Sequence, residues 1–247
     1  MKLANTITIV FSVNLFIASI NARAQDQDSA VFAASIHKAV SVYHHFLTPE
    51  TGLYNGLEYV PFGYQIKNGD PFWLSSKFNT GSVTYDGVLY ENVSLLYDLV
   101  KQVVIVNQPI YYYNVQLISE KVSSFSLLGH NFIRLEEDSA GKSPIRTGFY
   151  DVLYHGRINL LKRIDRKINE ELTTSEGIIR TIDERINYFI QQNSQFYTVN
   201  SKGELLDILN NRKKELNQFI KKNKLNFRKD KENSLIKTIA YYNEISQ

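Results

Sequence analysis

The sequence predicts an α+β protein: a large, curved antiparallel β-meander, a short helix before it and two or three helices after it. Three observations carry that prediction. Residues 53–136 alternate with a period of two and are punctuated by Asn55-Gly56, Asn68-Gly69 and Asp86-Gly87, pairs that tolerate the positive φ of tight hairpin turns. On either side, residues 31–46 and 201–247 change to the three- and four-residue spacing of helices. The chain also holds no cysteine, so a core of ordinary apolar residues must hold it, without disulfides, thiolate metal sites or a Cys nucleophile.

The first 24 residues read as a secretory signal. Lys2 gives the positive start, residues 6–20 (TITIVFSVNLFIASI) an apolar core, and Ala22-Arg23-Ala24 the small-x-small site that would leave Gln25 first. The core is shorter than the roughly 20 apolar residues of a membrane-spanning helix. The expected mature chain is a single exported domain, 25–247, with no membrane span once the signal is removed. It is β-rich over 53–200 and helical over 201–247.

In the first predicted helix, Phe32, Ile36, Ala39, Val40, Tyr43 and Phe46 share one face, and Pro49 ends the pattern. Tyr- and Val-rich runs follow at 82–85, 88–98, 103–107, 110–118, 123–128 and 131–136, short and turn-bounded as in a meander. Further hairpins are expected around His155-Gly156 and Asn193-Ser194, whereas the charged stretch 165–185 is ambiguous. In the tail, Ser201 and Glu204 have the spacing of a capping box. Leu205, Ile208, Leu209, Leu216, Phe219 and Ile220 then share a face, and another helix begins near Asp230.

Charge is polarised along the chain. Residues 25–154 hold eight Lys/Arg against thirteen Asp/Glu, a balance of −5, and residues 199–247 hold eleven against six, a balance of +5. The positive end concentrates in Lys221, Lys222, Lys224, Arg228, Lys229 and Lys231. In an exported protein this patch points to an anionic envelope component or another envelope protein, rather than to nucleic acid.

Catalytic signatures are weak. Ala140-Gly141-Lys142-Ser143 resembles the end of a phosphate-binding loop, but Glu136 stands where the motif needs glycine and Pro144 blocks the helix that should follow. His37, His44 and His45 lie on the first helix without a zinc-protease spacing, and His130 and His155 adjoin turn glycines. No Gly-x-Ser-x-Gly elbow occurs. Asp86, Asp98, Glu120 and Asp151 are candidates for the carboxylate pair of glycoside hydrolysis, but their places at turns and strand ends suit structural roles. Nothing in the sequence implies a cofactor or a metal.

Three stretches, LYNGLEY (53–59), NGDPFW (68–73) and GSVTYDGVLYENVSLLYDL (81–99), with the tail 199–243, resemble uncharacterised exported proteins of Bacteroidetes-type bacteria. The resemblance implies export and a role in the cell envelope, in the periplasm, at the outer-membrane periphery or outside the cell, and it transfers no catalytic residue. The expected function is therefore a non-enzymatic binding or structural protein. The alternatives are a periplasmic carrier holding a lipid or other apolar ligand in the curved sheet, and a hydrolase of envelope glycan or peptide.

Overall fold

The computed structural model describes residues 52–108, 113–139, 141 and 143–246. The signal segment, the helix expected over 31–46 and its three histidines lie outside the described residues, as do Ala140 and Lys142.

Eleven strands form one antiparallel sheet: β1 (Leu57–Glu58), β2 (Asn79–Tyr85), β3 (Val88–Asp98), β4 (Val103–Gln108), β5 (Tyr113–Gln116), β6 (Val122–Leu127), β7 (His130–Leu135), β8 (Gly148–Tyr154), β9 (Asn159–Thr173), β10 (Gly177–Gln192) and β11 (Gln195–Thr198). Their lateral order is β1-β5-β4-β3-β2-β6-β7-β8-β9-β10-β11, so the sheet is open, with β1 and β11 at its edges. Two meanders meet where β2 pairs with β6. Three helices follow: α1 (Lys202–Ile208), α2 (Lys213–Lys222) and α3 (Lys231–Ile245).

The sheet is strongly curled. Four strand spacings separate β3 from β8, about 19 Å if flat at 4.8 Å per strand, yet the rings of Tyr97 and Phe149 lie 5.9 Å apart. Between them Phe125 stacks on Phe132 at 4.5 Å and meets Tyr97 edge-on at 5.1 Å. The concave face is thus filled by aromatic side chains from opposite walls, whose edge-to-face contacts each add about 0.5–1.5 kcal/mol beyond burial. Burial raises the Tyr97 phenol pKa above its ordinary value, and its hydroxyl donates to Gln102 Oε1 at 2.9 Å.

Strand β4 (VVIVNQ) is apolar on both sides because both sides are covered. Val104 and Val106 face the aromatic core, while Val103 and Ile105 pack with Tyr59 and Leu96, flanked by Phe72 and Phe78 of the preceding loop. At the other end of the sheet, Leu160, Tyr188 and Ile190 meet Leu205, Leu209, Leu216, Leu235 and Ile239 of the helices.

The turn pairs part company. Asp86 and Gly87 take φ of +52° and +78° and join β2 to β3 with Tyr85 opposite Val88 and Val83 opposite Tyr90. Asn55-Gly56 and Asn68-Gly69, expected as hairpin turns, are not. The strand after Gly56, β1, pairs with distant β5, and a Cβ on Gly56 would lie 2.1 Å from Gln116 O. Asn68 bridges Thr181 of β10, and a Cβ on Gly69 would lie 2.6 Å from Ile182 Cβ. These glycines allow close backbone approach, a need that local sequence does not reveal. The ambiguous stretch 165–185 is a two-stranded ribbon, with β9 and β10 paired from Asn159–Gln191 to Thr173–Gly177.

Candidate functional site

The helical tail builds a cationic groove of about 830 Å³, with Lys202, Lys221, Lys224, Arg228 and Lys231 around it and Ile220, Leu225 and Phe227 among its lining. The backbone explains how these two kinds of residue converge. Helix α2 ends in a Schellman motif. Lys224 takes φ +53°, its N–H bonds Lys221 O at 3.1 Å, and Leu225 N–H bonds Ile220 O at 3.1 Å. That geometry brings the residue after the αL position onto the last buried turn, here Leu225 onto Ile220, and both join the helical core. Asn226 then folds the connection by accepting the N–H groups of Arg228 and Lys229, each at 3.0 Å.

Among the described residues, none of the five groove cations is in an ion pair. Two carboxylates close in sequence to the groove residues, Glu204 and Asp230, are engaged elsewhere. Glu204 Oε2 accepts the Asn200 N–H at 2.7 Å, and Asp230 Oδ2 accepts from Asn233 at 2.7 Å. Four of the six basic residues singled out in the sequence, Lys221, Lys224, Arg228 and Lys231, therefore share this groove. Lys222, at the end of α2, and Lys229, on the connection after it, are exposed but do not line the groove. Sequence reasoning missed Lys202, which the Ser201-capped start of α1 adds: Ser201 Oγ accepts the Glu204 N–H at 3.2 Å.

A second constellation is buried where sheet and helices meet. His130 Nδ1 lies 2.7 Å from Asp151 Oδ2, with the Asp151 side chain 3% exposed and that of His130 30%. Asp151 stands directly across from Lys162 on β9. Lys162 Nζ lies 2.7 Å from Glu232 Oε2 on α3, and the Tyr188 hydroxyl donates to the same oxygen at 3.1 Å. Burial pushes the Asp151 carboxyl above the usual carboxylate range, against the pull of His130 and Lys162. Burial, with Glu232 next, raises the Tyr188 phenol. Trp73, 5.1 Å from His130 ring to ring, closes the cluster, its Nε1 buried without a hydrogen-bond partner among the described residues.

Of the carboxylates considered for hydrolysis, only Asp151 contacts a histidine among the described residues. Asp86 is exposed in its turn and ion-paired to Lys121. Asp98 is buried but structural: its Oδ1 accepts the N–H groups of Val100 and Lys101 at 2.8 and 2.9 Å, and its Oδ2 accepts from Tyr59 at 2.9 Å. Glu120 lies in the short 3₁₀ turn before β6. His155 follows β8, in the turn to β9. Among the described residues no group of three or more His, Cys, Asp or Glu could hold a metal ion, and no helix is long and apolar enough to cross a membrane.

Tyr97, Phe125, Phe132 and Phe149 pack against one another on the concave face. Comparison with protein-family models, with curated proteins and with solved structures gave no match.

Proposed function

We propose that this is an exported, non-enzymatic binding protein of the cell envelope that holds an anionic envelope component in the groove of its helical tail. One observation carries the reading: five cations unpaired among the described residues gather around one groove with apolar lining. Unpaired charges raise the potential of a concave surface and draw oppositely charged ligands to it. The signal-like residues 1–24 and the resemblance of the tail to exported envelope proteins support the location. Two measurements test it. Cell fractionation and N-terminal sequencing are expected to find the chain outside the cytoplasm, beginning at Gln25. Calorimetric titration with pyrophosphate is expected to show binding that weakens between 20 and 300 mM salt, as screening requires, and that is lost when the five cations become glutamine. Cytoplasmic retention sinks the location, and equal titration of both proteins sinks the binding site.

A second reading, an envelope glycan or peptide hydrolase, is favoured by the 2.7 Å contact of His130 with Asp151. With Asp151 ionised, Nδ1 holds the hydrogen and Nε2 the lone pair that could take a proton from water. Release of soluble fragments from purified cell-wall material by the native protein, and not by His130→Gln, would establish it.

A further inference from the structure

We infer that the groove takes an anionic amphiphile, a single molecule with a phosphate- or carboxylate-like head and an aliphatic tail. This rests on the reading of the groove as an anion site and goes beyond it. A polar ligand such as a sugar phosphate needs hydroxyl and amide side chains free to bond it. The Ser201 Oγ already takes the Glu204 N–H, and the Asn226 Oδ1 takes two backbone N–H groups of its own loop. Beyond the Asn200 amide and the remaining donors of Ser201 and Asn226, what the lining offers a ligand is chiefly charge at the rim and hydrocarbon beneath it. Ile220 is buried, and Leu225 and Phe227 are half-buried against the helical core, so they form a floor rather than a projecting wedge. A projecting wedge would suit insertion into a bilayer surface, whereas a recessed apolar floor under cations suits one amphiphile lying in it. The groove, at about 830 Å³, falls in the range of small-molecule sites, roughly 300–1,000 Å³.

The test separates the two halves of such a ligand. Dodecyl phosphate below its micelle concentration, pyrophosphate, and monomeric dodecyl maltoside are titrated in turn against the full chain. Dodecyl phosphate is expected to bind at least tenfold more tightly than either of the others. Phe227→Ser should shrink that advantage to less than threefold, and Lys221→Gln with Arg228→Gln should weaken both phosphates at least fivefold. Those charge variants alter exposed side chains and so leave folding intact. If pyrophosphate binds as tightly as dodecyl phosphate, the amphiphile is wrong while the anion site stands. If neither phosphate binds, both fall. Binding to phosphatidylglycerol vesicles without binding to monomeric dodecyl phosphate would overturn the inference in favour of a membrane surface.

Discussion

Lys162 Nζ and Glu232 Oε2, 2.7 Å apart, tie strand β9 to the first turn of the last helix. The lysine is buried and the glutamate a third exposed, so the ammonium depends on its partner more than the carboxylate does. Breaking a buried pair from one side leaves the other charge uncompensated, although exposure of Glu232 discounts the loss. Glu232→Gln is expected to cost about 1–3 kcal/mol, the range for leaving a buried polar group short of its partner. A double-mutant cycle with Lys162→Met should show a coupling of at least about 1 kcal/mol. Faster amide exchange in α3 than in the sheet would locate the effect, and a coupling near zero would mean that the contact is incidental. Lys162 Nζ also lies 5.4 Å from the Trp73 ring centroid, and Trp73 is the only tryptophan. Its emission is expected to shift in Lys162→Met.

Asp151 makes stability depend on acid in an uncommon direction. Most carboxylates titrate lower in the folded state and lose stability as pH falls. Burial of Asp151 dominates the attraction of His130 and Lys162, so its folded pKa lies above 3.8. The folded protein then binds the proton more tightly than the unfolded chain. The contribution is fully present below pH 3.8 and is lost as pH rises through the higher folded value. Asp151→Asn cannot titrate and should gain on the native protein over that window. Urea unfolding at half-unit steps from pH 3 to 7 measures it, and a difference that stays constant across the series would refute it.

The β2–β3 turn allows strain to be measured alone. Gly87 has φ +78°, and a Cβ there would meet nothing within 4 Å. A cost for Gly87→Val therefore reports backbone conformation and no clash. The left-handed region costs an L residue about 1–2 kcal/mol, and a β-branched one tolerates it least. Gly63→Val is the control, since Gly63 is equally open and carries no positive φ. Denaturant midpoints should fall for the first variant and barely move for the second.

The contrast between Asp86-Gly87 and Asn68-Gly69 shows what was legible. A two-residue hairpin is a local object, and flanking alternation with an Asp-Gly pair encodes it in full. Gly69 is needed because β10, more than a hundred residues later, passes 2.6 Å from where its Cβ would be, and no local pattern records that. The same limit hid the β9–β10 ribbon. Its cross-strand pairs Arg166–Glu184 and Arg180–Glu170 are charged and solvated, so the stretch lacks the apolar alternation by which strands are read. The basic patch was visible as composition. Its apolar floor was not, because Leu225 reaches Ile220 only through the left-handed turn at Lys224, a position where glycine is the common signal.

That turn yields the last prediction. Lys224 stands at φ +53° in the Schellman motif, where a lysine costs about 1–2 kcal/mol relative to an unstrained residue. Glycine would relieve that strain but adds roughly 0.4–1 kcal/mol of freedom to the unfolded chain. Lys224→Gly should therefore stabilise the protein by about 0.5–1 kcal/mol net. Because Lys224 lines the groove, the same change removes one of its cations. At about 1 kcal/mol per surface cation against an anionic partner, dodecyl phosphate should bind roughly fivefold more weakly. Stability and affinity are thus expected to move in opposite directions at one residue, the pattern of strain kept for function. Thermal unfolding and calorimetry on the same preparation decide it. A variant that is more stable and binds equally well would show that Lys224 does not serve the groove, and one that is less stable would show that its backbone carries no strain to relieve.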